Sequence, residues 1–481
     1  MRIVTLLIIV TLGTGFAPAT EWDPATRLTE NAYSDFSYWS TQRRVVVDPA
    51  GRVHVAWHVM NSGLGTFRFQ VYYKRWYPTA GWTSDTMLSA DLYGRGVFCK
   101  YPSLAVDSSG RVWAVWAGGA NEDADSVIYV KSCVPGTAGN GGWDESSGML
   151  SAGTPSPAKG CPTLAATPDG RLHATWLEGT AVVHRERIDT LWSATRTVEG
   201  GTNYKAYPAV AGGPDNRLHL TWYGREGSSG YYDVFYKART DTTWGATENV
   251  SNGERHQMYQ SVAVNPATGL PHVLWQCYGA ADNKRRTVHR WRSASGWQPT
   301  DTLSEHGDTL EQETGQLVFT LDGRGHALWS GRSPAWPNLT QVRYAERSAA
   351  GVWSGPFNVT DTSGSKERPS VAAGTAGAAG DVHVVWTDYR DGNAEVYYCR
   401  GAAGQFVEER GRQAWRDRVG ASVVAGVLRA TAGGRAELLD AAGRVVMELQ
   451  PGANDVRRLS PGIYFVRRRT GAGVRRVLIL R

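Results

Sequence analysis

Seven copies of one hairpin unit run through the chain and constrain its fold more than any other feature. They are RVVVDPAGRVHVAW (44–57), PSLAVDSSGRVWAVW (102–116), PTLAATPDGRLHATW (162–176), PAVAGGPDNRLHLTW (208–222), QSVAVNPATGLPHVLW (260–275), GQLVFTLDGRGHALW (315–329) and PSVAAGTAGAAGDVHVVW (369–386). Each reads as an apolar strand, a turn carrying Asp, Pro or Gly, and a second strand ending in Trp. The final Trp residues recur about every 55 positions, a little above the ~40–50 residues of familiar propeller repeats. A helical repeat would show a period of 3.6, and none is visible.

Two more strands fit each unit. A third carries Val, Ile or Tyr near a basic residue, as in Val71 to Lys74, Ile128 to Lys131, Val234 to Lys237 and Val396 to Tyr398. A fourth starts at Trp and reaches Leu or Val: Trp82 to Leu88, Trp143 to Leu150, Trp192 to Val198, Trp244 to Val250, Trp297 to Leu303 and Trp353 to Val359. Trp22 to Leu28 has the same form but no preceding three strands. Pairing this orphan with the last third strand closes a ring and removes exposed sheet edges. The expected fold is therefore all-β: a seven-bladed β-propeller over residues 20–410, closed by an N-terminal strand. Phe406, in Gly404-Gln405-Phe406-Val407, is the competing candidate for the closing strand.

Composition agrees with an ordered β protein. Aromatics make up 11%, hydrophobics 41% and charged residues only 20%, with 56 Gly and 20 Trp, which favours turns and aromatic-rich strands over disorder or helical bundles. The net charge of +6 is local. Residues 410–481 carry 15 Arg and 5 acids, while the rest carries 36 basic and 40 acidic groups. A basic nucleic-acid groove in the main body is disfavoured.

The start of the chain reads as a signal peptide over 1–19. Arg2 precedes an apolar run, Ile3 to Leu12, and Ala17-Pro18-Ala19 supplies a peptidase site, so the mature chain is expected to begin at Thr20. The run is shorter than the ~20 residues that span a bilayer, and no other segment is long enough. The five cysteines, Cys99, Cys133, Cys161, Cys277 and Cys399, are odd in number and lack CxxC spacing, which argues against zinc.

Six histidines, His54, His173, His219, His272, His326 and His383, stand three residues before a repeat Trp, with Trp113 in the equivalent place of the second repeat. The Trp substitution marks this as a packing position, and no metal site or cofactor is expected. Binding is expected at the mouth of the ring, where strand ends and loops meet the axis. Just before each first strand stand Gln42, Tyr101, Cys161, Tyr207, Tyr259, Thr314 and Arg368, with Glu313 and Glu367 adjacent. Loops between second and third strands add Glu122-Asp123, Arg225-Glu226, Asp282 to Arg286, and Asp388-Tyr389-Arg390-Asp391. The ligand-binding candidates are Tyr101, Tyr207, Tyr259, Arg225, Glu367, Arg368 and Arg390, a mixture of aromatic and hydrogen-bonding groups that suits a sugar face.

These repeats resemble the sialidase-like, BNR or Asp-box family of bacterial propellers. The shared features are the PSLAVDSSGRVWAVW-type hairpins and the turns before each fourth-strand Trp, such as Thr240-Asp241-Thr242-Thr243-Trp244 and Ser293-Ala294-Ser295-Gly296-Trp297. The family's turn, Ser-x-Asp-x-Gly-x-x-Trp, is shortened here and mostly lacks its Asp. The resemblance implies a catalytic alternative in which Tyr259 is a nucleophile helped by Glu313, with Asp388 or Asp391 as acid/base and Arg368 gripping a substrate carboxylate. The family's Arg-Ile-Pro opening is absent, since the first repeat begins Gln42-Arg43-Arg44-Val45. The expectation is non-catalytic recognition of glycan or cell-envelope material. The alternatives are a sialidase-like glycoside hydrolase and a structural surface protein without ligand.

After a charged linker, 411–418, residues 419–481 are expected to form a small β-sandwich. Leu438-Leu439-Asp440-Ala441-Ala442-Gly443-Arg444, Leu459 to Val466 and Arg475 to Arg481 resemble the C-terminal sorting domain of type IX secretion. That resemblance implies the type IX export machinery as a partner, and a secreted or outer-surface location.

Overall fold

The computed structural model describes residues 20–36, 43–60, 69–93, 95, 97–120, 126–134, 142–151, 157–227, 230–279, 283–304, 310–374 and 380–403. In the tail it describes 422–425, 427–430, 436–440, 444–450, 452–460, 462–468 and 474–480. The leader 1–19, Gln42, Glu122-Asp123, Asp282, Phe406 and the linker 411–418 lie outside the described residues. The chain divides into two compact units, Met1–Gln405 and Phe406–Arg481. All regular structure among the described residues is β.

The first unit holds seven antiparallel sheets among its described residues. The fourth sheet shows the plan: Lys205–Gly212 pairs with Leu218–Gly224, which pairs with Asp233–Thr240. The expected fourth strand is present but broken. Thr243–Trp244 and Glu248–Asn249 both pair with Asp233–Thr240, with a one-residue slip between Trp244 opposite Arg239 and Glu248 opposite Tyr236. The Gly245 amide reaches Ala238 O at 2.8 Å, still in the register of Trp244, so the slip falls between Gly245 and Glu248.

Packing between sheets explains the Trp period. The seven second-strand Trp residues are each at most 2% exposed, every one inside a cluster that joins neighbouring sheets, as Trp116 joins Ala56 and Tyr73 to Leu104. The first strands neighbour one another in cyclic order and line a common cavity of about 290 Å³ through Val45, Ala105, Ala166, Val210, Val262, Leu317 and Val371.

The orphan N-terminal strand pairs with the last third strand, Glu395–Ala403. Thr20, Glu21 and Trp22 face Ala403, Ala402 and Gly401, and Thr26 and Arg27 face Tyr398 and Tyr397. The chain then enters the first sheet earlier than expected: Ser34–Phe36 pairs with Met60 to His58, and Val45–Val47 with Val55 to Val53.

The tail unit has a five-stranded sheet in the order Ser422–Ala425, Val474–Leu480, Gly462–Arg468, Ala436–Leu439 and Val445–Leu449, and a two-stranded sheet of Val427–Ala430 with Gly452–Asp455. Leu438, Leu449, Val456 and Tyr464 form its small core.

Candidate functional site at the mouth of the first unit

Antiparallel pairing brings the start of each first strand and the end of each second strand to one end of the sheets. Lys205 lies opposite Gly224, Gln257 opposite Cys277, and Lys366 opposite Asp388. The residues placed by sequence just before the first strands are in fact inside them. Tyr101, Cys161, Tyr207, Tyr259 and Arg368 each begin a two-residue bulge facing a Trp, as Tyr207-Pro208 does between the pairs Ala206–Tyr223 and Ala209–Thr221, whereas the Glu313-Thr314 bulge faces Ser330 and Gln42 lies outside the described residues.

The bulge forces an uncommon backbone. Tyr101, Cys161, Tyr207, Tyr259 and Arg368 all have φ between +48° and +59°. A side chain in this region costs about 1–2 kcal/mol, and a following proline disfavours it further. Proline fits the bulge because it has no ladder proton to give. The five left-handed residues recur at equivalent places in their sheets, and such strain persists only where the surroundings hold it.

Between the fourth and fifth sheets these positions nucleate an aromatic cluster. Tyr207 stacks on Tyr223 with centroids 5.9 Å apart and meets Tyr259 edge-on at 5.8 Å. Tyr223 also contacts Tyr232 and Tyr259 at 5.5 Å each, and Tyr204 lies 5.3 Å from Tyr232. His256 extends the group, 5.0 Å from Tyr232 and 6.0 Å from Tyr278. Tyr223 is buried, whereas Tyr204 is 47% exposed and presents its ring to solvent. Burial, followed by the neighbouring tyrosines, pushes the Tyr223 hydroxyl far above its ordinary range, so it stays protonated.

Arg225 sits on the rim of this cluster. Its guanidinium lies 4.6 Å above the Tyr232 ring and donates to the Tyr232 hydroxyl at 3.3 Å. Among the described residues no carboxylate lies within ion-pair distance of it. Burial, and then Arg225, hold the His256 imidazole below its usual value, so His256 is neutral at pH 7. Arg255 repeats the arrangement on exposed Tyr231, donating to its hydroxyl at 2.9 Å.

The fifth to seventh sheets carry charged groups instead. Arg285 bridges Glu311 at 2.6 Å and Glu313 at 2.9 Å, and Glu367 receives Arg368 at 3.4 Å and the Tyr389 hydroxyl at 3.3 Å. Burial raises the Glu313 carboxyl, with Arg285 opposing and Glu367 adding to the rise. Tyr259 packs among tyrosines while Glu313 is held by Arg285, so the two belong to different groups. Asp388 is enclosed within the seventh sheet, accepting from Trp386 Nε1 at 2.9 Å and Arg390 at 2.5 Å, with Lys366 at 3.7 Å. Asp391 accepts from the Tyr397 hydroxyl at 2.6 Å, and Arg390 lies over the Tyr397 ring at 4.3 Å. Tyr101 lies apart from the tyrosine cluster, with Lys100 5.8 Å from its ring.

Sequence reasoning found Tyr207, Tyr259 and Arg225 but missed Tyr204, Tyr223, Tyr232, His256 and Tyr278. The available signal was the density of tyrosine around the fourth and fifth repeats, including Tyr223 directly after a repeat Trp. Among the described residues no three His, Cys, Asp or Glu side chains converge as metal ligands.

The chain is an all-β protein with a propeller-like fold, and its likeness to solved structures is at the level of that fold. It is similar to a family 25 polysaccharide lyase, an ulvan lyase bound to -[GlcA(1-4)Rha3S]-, with a TM-score of 0.53 and 12% identity over 76% of this chain and 95% of that one. It is similar to the polysaccharide lyase Uly1, with a TM-score of 0.50 and 10% identity over 79% of this chain and 99% of that one. A Hadza microbial sialidase, Hz136, aligns with a TM-score of 0.39 and 12% identity over 74% of this chain and 64% of that one. No family model matches the chain, and no curated protein matches it.

Proposed function

We propose that this protein recognises a glycan at the tyrosine cluster of its mouth, and that the ligand carries carboxylate or sulfate groups. The single observation that carries this reading is the partly exposed Tyr204–Tyr207–Tyr232–Tyr259 surface with Arg225 stacked on Tyr232. Tyrosine faces bury the apolar face of a pyranose, while a guanidinium held flat offers paired donors to a planar anion. Solved propellers of similar fold process polysaccharides, which supports a glycan ligand.

The ring is proposed to have seven blades closed by residues 20–29. Seven sheets with neighbouring first strands, and the pairing of Thr20–Arg27 with the last third strand, support this. Export through the leader, followed by type IX sorting through a sandwich at 419–481, is proposed from the sequence patterns of both segments. Removing 419–481 is expected to retain the protein in the periplasm of a host with that system.

The decisive experiment is calorimetric titration of the purified chain with acidic and neutral oligosaccharides. Binding of the acidic set, lowered at least tenfold by Arg225→Ala and by Tyr232→Ala, supports the reading, and binding untouched by both variants refutes it. A second reading, glycoside hydrolysis, has Glu313 in its favour, because a carboxyl raised by burial suits an acid/base role. Turnover of sialosides or aryl glycosides abolished by Glu313→Gln would establish that reading instead.

A further inference from the structure

The common cavity between the first strands has a polar lining that the apolar side chains around it conceal. In each sheet of the first unit the residue just past the first strand donates its amide back across the hairpin, as Asp107 does to Arg111 O at 3.0 Å and Gly213 to Arg217 O at 2.7 Å. Bonded and non-bonded pairs alternate along an antiparallel ladder. The residue before each of these, Val106 and Gly212 among them, therefore turns its N–H and C=O away from its own second strand. The equivalent residues of all seven sheets, from Val47 in the first to Ala373 in the seventh, border the cavity of about 290 Å³.

A single charged side chain enters this lining. Arg43 is the only charged residue bordering the cavity, and among the described residues no hydrogen-bond or ion-pair partner meets its guanidinium. Its neighbour Arg44 turns elsewhere, buried and donating to Arg368 O at 2.9 Å. The repeat position of Arg43 is held by Pro102, Pro162, Pro208 and Pro369 in four other sheets, and none of these prolines borders the cavity. It is thus the length of the arginine side chain that reaches it. Burial is the one influence on the Arg43 pKa, and it lowers it, which marks a charge withdrawn from water with no opposite charge to offset it. A guanidinium does not shed its proton in a protein, and an uncompensated buried charge is strongly destabilising.

We propose that the common cavity is an anion site, in which Arg43 binds one small oxyanion, a carboxylate or sulfate group, with the inward N–H groups of the first strands as further donors. The strand edges offer donors and acceptors alike and suit either sign of charge, so Arg43 sets the preference. Its planar fork matches two oxygens of one group, and the cavity is at the small end of the range for ligand pockets, which suits one group rather than a saccharide chain. The same chemistry is available from a free ion or from an acidic substituent of a glycan at the mouth. The site stands independently of the tyrosine cluster.

The test is calorimetric titration of sodium sulfate, and separately of sodium acetate, into the purified chain in chloride-free buffer. Saturable binding of one sulfate is expected, weakened at least tenfold by Arg43→Gln and unchanged by Arg225→Ala. The fifth sheet already carries Gln260 at this position, so glutamine is compatible with the repeat; should the variant not fold, Arg43→Met takes its place. An acidic oligosaccharide that displaces the sulfate identifies the glycan's own group as the occupant, and sulfate retained beside bound oligosaccharide identifies a free ion; either result keeps the site. Failure of both sulfate and acetate to bind, or binding untouched by the Arg43 variants, overturns the proposal. Sulfate binding lost with Arg225→Ala but not with Arg43→Gln also overturns it while leaving the glycan reading intact, and loss of glycan binding alone leaves the cavity site standing.

Discussion

The Nδ1 atom of His54 lies 2.6 Å from the hydroxyl of Tyr73, and this cross-strand pair recurs from sheet to sheet. His219 meets Tyr236 at 2.7 Å, His326 meets Tyr344 at 2.6 Å, and His383 meets Tyr398 at 2.8 Å. In the third and fifth sheets a second histidine replaces the tyrosine, with His173 3.2 Å from His184 and His272 2.9 Å from His289. The repeated histidines thus link second strands to third strands inside the sheets.

Acid stability follows from that burial. Desolvation pulls His173 and His326 down to about 3, and His219 and His383 to about 4, against an ordinary value near 6.5. Folded values below unfolded ones mean that the unfolded chain binds more protons, so the stabilisation is present above about pH 6.5 and is lost as pH falls toward 3–4. Thermal melts between pH 8 and pH 4 should show a steep drop beginning near pH 6.5. A His219→Gln variant should give a shallower drop over the same range, even if it is less stable at pH 8.

Asp35 has the opposite sign. It is fully buried, accepts from Trp57 Nε1 at 3.0 Å and from Asn31 at 2.7 Å, and is raised to about 7, chiefly by desolvation with nearby Glu395 adding to it. Its neutral form is favoured by folding, so its contribution is present at low pH and is lost as pH rises from about 4 through 7. Asp35→Asn should therefore gain stability relative to the parent by about 1–3 kcal/mol at pH 8, with little or no gain at pH 4. Urea melts of both proteins at the two pH values measure this directly.

The fourfold strand pattern and the pairing of the strand at Trp22 with the last third strand were legible because both depend on apolar periodicity and repeat spacing, which are local properties. The bulges were not, since a positive φ at Tyr207 leaves no mark in the sequence except the following proline, and Tyr259 is followed by Gln260. Ser34–Phe36 was missed for a related reason: it and Val45–Val47 both pair with Val53–Met60 but stand apart in the sequence, so they do not read as one run. The tyrosine cluster was half legible. Tyr207 and Tyr259 occupy repeat positions, whereas Tyr204, Tyr232 and His256 come from connecting segments whose meeting depends on how two sheets pack. Asp388, in a polar loop by sequence, is withdrawn from solvent by Trp386 and Lys366, a consequence of strand pairing that composition does not show.

A gap in the histidine pattern predicts a stabilising substitution. The second ring nitrogens of His54, His173 and His326 meet Asp48, Thr167 and Thr320 of the preceding turn. In the fourth sheet the equivalent residue is Gly213, and the buried Nε2 of His219 has no hydrogen-bond partner. A Cβ at Gly213 would lie 2.7 Å from Asp215 Oδ1 and 3.4 Å from His219 Nε2, so only the tip of the Asp215 side chain has to move. Gly213→Thr should raise stability by about 1 kcal/mol, from the new hydrogen bond and the stiffer unfolded chain. A chemical-denaturation midpoint unchanged or lower than the parent's would count against it.

The bulge residues allow backbone strain and ligand contact to be separated. Tyr207 has φ 48°, so its backbone favours glycine over any residue with a Cβ by about 1–2 kcal/mol. At an ordinary strand position glycine is less stable than alanine by about 0.5–1 kcal/mol. Tyr207→Gly and Tyr207→Ala lose the same contacts with Tyr223 and Tyr259, so their comparison cancels the packing loss and leaves the backbone term. The glycine variant should be the more stable of the two by about 1 kcal/mol, reversing the usual order, while both lose acidic-glycan binding to the same extent. An alanine variant at least as stable as the glycine variant would mean that the left-handed bulge is not maintained in solution. Unequal binding by the two would mean that backbone geometry contributes to recognition beyond placing the tyrosine ring.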